Sequence, residues 1–162
     1  MAEPKIHSTA EVHPTAQIGD GGVVWGGAYV GPNTVLGEFC SVGRCAEIGS
    51  SVVIGDRSRI GFGVFVPNLT RIGSCVFIGP GVIMTDDRYP RVNNPFYRGQ
   101  PSVIEDYTVI GAGAVILPGV RICRGALVGA GSVVIHDVPA WTTVLGNPAR
   151  FAHVRQESIS EI

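Results

Sequence analysis

The stretch IGSSVVIGDRSRIGFGVFVPNLTRIGSCVFIGPGVIM, residues 48–84, decides the fold because an aliphatic residue returns at every sixth position. The same spacing runs from Ile6 to Met84 without exception, and it resumes from Ile104 to Val134. An α-helix repeats about every 3.6 residues, so a period of six would carry these residues around a helix within two repeats. The period therefore predicts short extended segments, each followed by a turn.

Two further positions of each repeat support this interpretation. Within the two regular runs, the fourth residue after each aliphatic residue is never larger than valine, and the residue directly after the aliphatic one is glycine in most repeats. Glycine is favoured where a chain turns sharply or needs a positive φ. Each hexapeptide then forms one strand and one corner, and three corners close a triangular coil. Twenty hexapeptides predict about six to seven stacked coils with the aliphatic residues inside.

The pattern aliphatic–Gly–x–x–small–x resembles that of the hexapeptide-repeat acyltransferases, and the resemblance extends from Ile6 to Arg150. It implies an all-β, left-handed parallel β-helix, although parallel crossovers are generally right-handed. It also implies a homotrimer of side-by-side columns. We expect the β-helix to span residues 1–145, with a loop inserted at 85–103, and a C-terminal tail over 146–162 that can form a short helix.

Composition narrows the remaining classes of protein. The 162 residues are 45% hydrophobic and 15% charged, which predicts one globular domain rather than a disordered chain. No apolar run is long enough to span a bilayer, and the net charge of −1 offers no basic field for nucleic acid. No secretory signal is apparent, so we expect a cytoplasmic protein whose four cysteines are reduced.

The segment VIGAGAVILPGVRICRGALVGAGSVVIHDVPAWTTVLGNPARFA, residues 109–152, resembles the end of the family that binds acetyl-CoA. The resemblance implies that Ala112 presents its amide to the thioester carbonyl, and that a group of residues binds the rest of the cofactor: Gly111, Ala112, Ala130, His136, Asn147, Pro148 and Arg150. Arg150 is the best candidate for a cation near the nucleotide phosphates. Arg121 and Arg124 either assist it or belong to a solvated face.

The inserted loop carries the candidates for the acceptor site. Its residues Thr85–Asp86, Pro90–Arg91 and Tyr97–Arg98, after Gly79–Pro80, resemble the branch that acetylates nucleotide-linked 3-amino sugars. The loop contains no histidine, which enzymes acting on hydroxyl groups often use as a general base. A deprotonated amine attacks a thioester without such help. We therefore expect N-acetylation of an amino sugar attached to a nucleotide, in the synthesis of surface-glycan precursors such as those of lipopolysaccharide.

We assign catalytic roles in the loop to Asp86 and Asp87, which would orient the amine and receive its proton. The alternative is that these carboxylates only form an Asx-type turn that opens the loop. Asn68 and Tyr89 are further candidates for substrate binding. Two arginines, Arg91 and Arg98, either bind the diphosphate of a sugar nucleotide or anchor the loop.

Three other functions compete with this one. The first is O-acetylation of a sugar, polysaccharide or antibiotic hydroxyl, and the second is an assembly module without activity. The third, a carbonic anhydrase of the γ type, needs three zinc-binding histidines on neighbouring coils. No histidine lies between His13 and His136, so we expect no metal site.

Overall fold

The computed structural model describes residues 2–155, which form a three-sided column of short parallel strands. Each hexapeptide contributes a strand of two residues, and the second of these points into the column. Coils related by 18 residues pair in register, as Ser41 pairs with Arg59 and Val42 with Ile60. The all-β class and the left-handed parallel β-helix expected from the sequence are confirmed.

The strands form three walls, named here in chain order. The first wall contains β1 (Lys5–Ile6), β4 (Val23–Val24), β7 (Ser41–Val42), β10 (Arg59–Ile60), β13 (Phe77–Ile78), β16 (Val109–Ile110), β19 (Leu127–Val128) and β21 (Thr142–Leu145), followed by β22 (Arg150–Val154). The second wall contains β2 (Glu11–Val12), β5 (Tyr29–Val30), β8 (Glu47–Ile48), β11 (Phe65–Val66), β14 (Ile83–Met84), β17 (Val115–Ile116) and β20 (Val133–Val134). The third wall contains β3 (Gln17–Ile18), β6 (Val35–Leu36), β9 (Val53–Ile54), β12 (Arg71–Ile72), β15 (Val103–Ile104) and β18 (Arg121–Ile122).

The column has about eight turns, slightly more than the six to seven expected. The difference arises at the C-terminal end, where the stack continues after the last hexapeptide at Val134. Val138 bridges to Ile122 and closes one more coil, and β21 then pairs with β19 to begin the next. Neither step follows the six-residue spacing, so the periodicity alone could not count it.

In the core, aliphatic side chains stack along the column, and small residues fill the space between them. Ile48, Ile78 and Ile116 are completely buried, as the sixfold spacing predicts. The small inward positions also accommodate hydroxyl groups: Ser58 Oγ donates to the carbonyl oxygen of Gly73 at 2.8 Å. Among residues 2–155, no buried side-chain nitrogen or oxygen atom lacks a hydrogen-bond partner. The buried polar groups are therefore all used within the core, and the functional site is expected on the surface.

The loop leaves the column between β14 and β15, and both of its ends are tied to the next coil. Thr85 Oγ1 donates to the carbonyl oxygen of Ile116 at 3.0 Å. The amide of Gln100 donates to the carbonyl oxygen of Asp86, and the amide of Gly119 donates to that of Gln100, each at 2.8 Å. The base of the loop is thus fixed to a rigid scaffold.

The described part of the C-terminal tail is a strand, so the short helix suggested for it is wrong over these residues. After a turn that contains the cis peptide bond Asn147–Pro148, β22 pairs antiparallel with β21. The open edge of β21 offers unpaired backbone groups, and Phe151 and Val154 favour extended structure. The rest of the predicted tail, residues 156–162, lies outside the described residues. In the part of the chain described here, no helix has the length and apolarity required to cross a membrane.

Candidate active site

The corners of successive coils stack into three edges. The first edge joins the first wall to the second and includes corners 61–64, 79–82, 111–114 and 129–132. The second edge joins the second wall to the third and carries the inserted loop. The third edge joins the third wall to the first. Most corners present their second and third residues to solvent, so the residue types at these two positions decide what each edge can bind.

Over its last four corners, the first edge has glycine at the third corner position and therefore no side chain there. Gly63, Gly81, Gly113 and Gly131 stand there with φ between +61° and +68°, and a Cβ atom on any of them would meet nothing within 4 Å. The same left-handed conformation is adopted on the other two edges by Asn33, Ser51, Leu69, Phe39, Arg57, Cys75, Tyr107 and Trp141. The backbone therefore does not require glycine there, and the first edge is left open to close approach.

Two of the unpaired backbone amides on the first edge lie near its C-terminal end. On the third edge, the amides of Glu38 and Ser74 donate to carboxylates of the next coil, those of Asp56 and Asp106, each at 2.8 Å. Alanines occupy the corresponding positions of the first edge, Ala112 and Ala130, and a methyl group accepts no hydrogen bond. Within residues 2–155, the amides of Ala112 and Ala130 donate to no acceptor. Both residues are exposed, so their amides can donate to a ligand.

Close stacking brings these two amides one coil apart, a spacing of about 4.8 Å. A Cβ atom on Gly79 would lie 2.6 Å from the backbone nitrogen of Ala112, and one on Gly111 would overlap the backbone of Ala130. The close contact between coils accounts for glycine at position 111, which sequence reasoning had placed in the cofactor site.

The C-terminal turn extends the same edge. The amide of Gly146 donates to Ser132 Oγ at 3.0 Å, and the amide of Ala149 donates to the carbonyl oxygen of Val133 at 2.8 Å. Asn147 and Pro148, two of the predicted cofactor residues, are thereby placed over the corner that contains Ala130. The structure thus lines up these residues with Ala112 along one edge.

His136 and Arg150 line a cavity of about 350 Å³ beside this turn. Both side chains are exposed, and Arg150 Nη1 donates to the carbonyl oxygen of Ala149 at 3.2 Å. Asp137 lines the same cavity, but its Oδ1 accepts a hydrogen bond from the amide of Arg121 at 2.8 Å. His136 and Arg150 therefore line one cavity at the C-terminal end of the column, and both are open to solvent.

Arg121 and Arg124 lie away from the first edge. Arg121 Nη1 contacts Glu105 Oε1 at 2.6 Å, and Arg124 Nη1 contacts Asp106 Oδ2 at 3.2 Å. The hydrogen bond from Arg121 is the main reason that the pKa of Glu105 is below its usual value. Arg124 also stacks over the ring of Tyr107 at 4.5 Å. These contacts favour the interpretation of a solvated, ion-paired face.

In the loop, the two adjacent aspartates make different contacts. Asp86 Oδ2 accepts a hydrogen bond from Tyr97 Oη at 2.6 Å. Asp87 Oδ1 accepts one from the amide of Tyr89 at 2.9 Å, which is the Asx-type turn that the sequence left as the alternative. The bond to Asp86, with smaller effects from burial and nearby carboxylates, raises the pKa of Tyr97 to about 12. The two aspartates are therefore not equivalent.

The other candidates for substrate binding are spread along the second edge and the loop. Asn68 Oδ1 accepts a hydrogen bond from the amide of Ser50 at 2.7 Å, as the carboxylates of the third edge do. Tyr89 and Arg91 are exposed, and Arg98 Nη1 donates to the carbonyl oxygen of Tyr97 at 2.9 Å.

One chain does not bring the loop to the first edge. Asp86 follows β14 on one side of the second wall, whereas Ala112 precedes β17 on the other side, and β14 and β17 are paired strands of that wall. The proposed proton acceptor and the proposed thioester-binding amide are therefore separated by the width of the wall.

Sequence reasoning did not find the stacked glycines of the first edge, called the glycine column here, or the hydrogen-bond partner of Asp86. The signal for the column was present, since glycine stands three residues after the aliphatic position at Gly63, Gly81, Gly113 and Gly131, which share one edge. The Tyr97–Asp86 contact had no periodic signal because it lies in the irregular loop. Among the described residues, no three His, Cys, Asp or Glu side chains are grouped so that they could hold a metal ion.

Comparison with known proteins identifies the family. A model of the bacterial transferase hexapeptide, described as six repeats, matches residues 101–136. The crystal structure of a hexapeptide-repeat acetyltransferase from Vibrio cholerae is 30% identical, covers 79% of this chain and 74% of its own, and superposes with a TM-score of 0.61. The chain belongs to the hexapeptide-repeat acetyltransferase family.

Two further relatives of this hexapeptide-repeat protein bear on its function. A 2,3,4,5-tetrahydropyridine-2,6-dicarboxylate N-acetyltransferase from Staphylococcus aureus is 44% identical over 78 residues, which are 48% of this chain and 30% of the relative. The acetyltransferase domain of PglB from Neisseria gonorrhoeae, in complex with acetyl coenzyme A, is 26% identical over 92% of this chain and 57% of its own, with a TM-score of 0.55. The chain spans less than a third of the length of the Staphylococcus aureus relative.

Proposed function

We propose that this hexapeptide-repeat protein is an acetyl-CoA-dependent N-acetyltransferase whose acceptor is the amino group of a nucleotide-linked amino sugar. Its place would be in the cytoplasmic synthesis of surface-glycan precursors. The observation that carries the proposal is the first edge, where the glycine column leaves an open path and the amides of Ala112 and Ala130 have no acceptor among the described residues.

Acetyl-CoA suits this edge for two chemical reasons. Its pantetheine arm is a narrow, extended chain that needs an edge without side chains, and its carbonyl oxygens need donors along that path. A backbone amide directed at the thioester carbonyl stabilises the negative charge that develops on this oxygen during attack. Arg150, with His136, would approach the phosphates at the other end of the cofactor. The PglB domain named above was solved with acetyl coenzyme A, which is consistent with this cofactor.

The proposed reaction is direct transfer to nitrogen. The amine attacks the thioester carbon, the C–N bond forms, and the C–S bond breaks to release the CoA thiolate. The proton lost by nitrogen goes to the carboxylate of Asp86, directly or through water, and the thiolate takes a proton from solvent. Asp87 is less suited to this role because one of its oxygens is used in the turn with Tyr89.

Two observations support nitrogen rather than oxygen as the acceptor atom. The loop at residues 85–103 contains no histidine that could activate a hydroxyl group. The relative from Staphylococcus aureus is named an N-acetyltransferase. The nucleotide part of the acceptor rests on the exposed Arg91 and on Arg98, whose guanidinium groups can bind a diphosphate.

We also propose that the active site forms between copies in a homotrimer. Phe65 and Ile83 point outward from the second wall and Phe77 from the first, with 37%, 45% and 39% of each residue exposed. These apolar residues flank the first edge, and burying them against another copy would be favourable. Because Asp86 and Ala112 are separated within one chain, a loop from the neighbouring copy would complete the site.

A panel of acceptors tests the proposed function. The protein is mixed with acetyl-CoA and with matched pairs of nucleotide-linked sugars that carry either an amino or a hydroxyl group at one position, and thiol release is followed. We expect turnover with an amino member and none with its hydroxyl counterpart, and weaker turnover with the same amino sugar without its nucleotide. Turnover of hydroxyl acceptors alone would instead support O-acetylation, and no binding of acetyl-CoA would support an assembly module.

A further inference from the structure

We infer that Tyr97 is a positioning residue, which fixes the carboxyl group of Asp86 in the orientation from which it receives the proton of the acceptor amine. This inference rests on the proposed function and adds to it a residue whose hydroxyl group does not react. Its basis is the 2.6 Å hydrogen bond from Tyr97 Oη to Asp86 Oδ2 and the way in which both residues are held.

The backbone of Asp86 is fixed on both sides. The amide of Thr85 donates to the carbonyl oxygen of Ile116 at 3.0 Å, which ties the start of the loop to the column. The carbonyl oxygen of Asp86 accepts a hydrogen bond from the amide of Gln100 at 2.8 Å, which ties it to the end of the loop. The remaining freedom of Asp86 is rotation of its side chain, and the bond from Tyr97 restricts that rotation.

Tyr97 is itself presented by a local turn. Asn94 Oδ1 accepts a hydrogen bond from the amide of Phe96 at 3.0 Å, and the carbonyl oxygen of Asn94 accepts one from the amide of Tyr97 at 3.3 Å. Gly99 completes the arrangement, because a Cβ atom there would lie 3.0 Å from Tyr97 Oη and 3.5 Å from Asp86 Oδ2. Glycine at this position keeps the pair free of crowding.

The hydrogen bond uses one carboxylate oxygen and leaves the other for a ligand. Within residues 2–155, Asp86 Oδ1 has no hydrogen-bond partner, and Asp86 is partly exposed. Fixing one oxygen of a planar carboxylate also fixes the direction of the second. Small errors in the position of a catalytic group can lower a rate by about a hundredfold, so such a restraint has a measurable effect on turnover.

The contact is too exposed to serve mainly as a clamp for the loop. Tyr97 is 44% exposed, so its contact with Asp86 buries little apolar surface that would hold the loop against the column. The loop ends are already held by backbone hydrogen bonds through Thr85 and Gln100. A role in orienting Asp86 explains the short Tyr97–Asp86 bond better than a role in folding.

The test compares Tyr97→Phe, Asp86→Asn and the double variant with wild type. Tyr107→Phe is the matched control, since Tyr107 lies on the third edge against Arg124. We expect Tyr97→Phe to lower kcat about tenfold or more with the KM for acetyl-CoA unchanged. Asp86→Asn should lower kcat at least as much, and the double variant should be no worse than Asp86→Asn alone, because the hydroxyl acts through the carboxylate.

A titration of the tyrosinate absorbance supplies a readout that does not depend on activity. Asp86→Asn should lower the pKa of Tyr97 from about 12 towards its ordinary value, while Tyr107→Phe should leave that high-pH step in place.

Two outcomes overturn the inference separately from the proposed function. If the wild-type protein is active and Tyr97→Phe matches Tyr107→Phe in kcat, or if the losses from Tyr97→Phe and Asp86→Asn multiply, Tyr97 does not act through Asp86. If the wild-type protein acetylates no acceptor at all, the proposed function fails and the role of Tyr97 fails with it.

Discussion

Replacement of Gly113 by asparagine is expected to weaken acetyl-CoA binding about tenfold or more without unfolding the protein. Gly113 has φ +68° and open space where a side chain would begin. Asparagine tolerates this conformation well, and Asn33 already adopts it in this protein with φ +58°. The variant therefore introduces a side chain into the path proposed for pantetheine with little backbone strain.

Ser51→Asn is the matched control for this variant. Ser51 occupies the same corner position with φ +56°, but it lies on the second edge. Calorimetric titration with acetyl-CoA should show wild-type affinity for Ser51→Asn and a weakened Kd for Gly113→Asn, while the two variants unfold at similar temperatures. Equal affinity in both variants would mean that the cofactor does not lie along the first edge.

Mixing two impaired variants should restore part of the wild-type activity. Gly113→Asn damages the first edge and leaves the loop intact, whereas Asp86→Asn damages the loop and leaves the edge intact. If each site takes its edge from one copy and its loop from another, random assembly of the two chains should give about a quarter of the wild-type activity. Each variant alone should be slower than wild type by about tenfold to a hundredfold under limiting acetyl-CoA.

The control for this experiment combines two variants of the loop. Asp86→Asn mixed with Tyr97→Phe should give no activity beyond the average of the two, because no intact loop is present in the mixture. The chains are unfolded and reassembled together, and the mass of the product is measured to verify that mixed trimers form. Mixed trimers without recovered activity would show that each active site is built within a single copy.

The fold could be predicted from the sequence because its determinant is local and repeated. Buried residues such as Ile48, Ile54 and Ile60 recur with the spacing of one hexapeptide, so each long regular stretch of the chain shows the pattern. The handedness was not available from this pattern, since the general preference for right-handed crossovers points the other way, and it came from the family resemblance.

The C-terminal end could not be predicted in the same way. Val138 and β21 continue the column without the six-residue spacing, and β22 forms a strand because β21 offers it an open edge. That edge exists only once the column has folded. The short helix considered for the tail came from the family resemblance, and the residues of the tail alone do not show that β21 is available as a pairing partner.

The candidate site was predictable where it follows the repeat and not where it leaves it. Ala112 and Ala130 occupy equivalent corner positions, so their alignment follows from the register of β16 and β19. The loop follows no repeat. Its sequence therefore does not show that Tyr97 Oη donates to Asp86 while the amide of Tyr89 donates to Asp87. The sequence could name the two aspartates but could not distinguish their roles.

The most direct measurement of the central idea is the response of individual backbone amides to acetyl-CoA. Amide resonances are recorded by NMR with and without saturating cofactor, and those of Ala112 and Ala130 are compared with those of Glu38 and Ser74, whose amides already donate to carboxylates of the next coil. We predict large shifts for Ala112 and Ala130 and small ones for Glu38 and Ser74. Unchanged Ala112 and Ala130 signals in a protein saturated with acetyl-CoA would contradict the assignment of the first edge as the cofactor-binding surface.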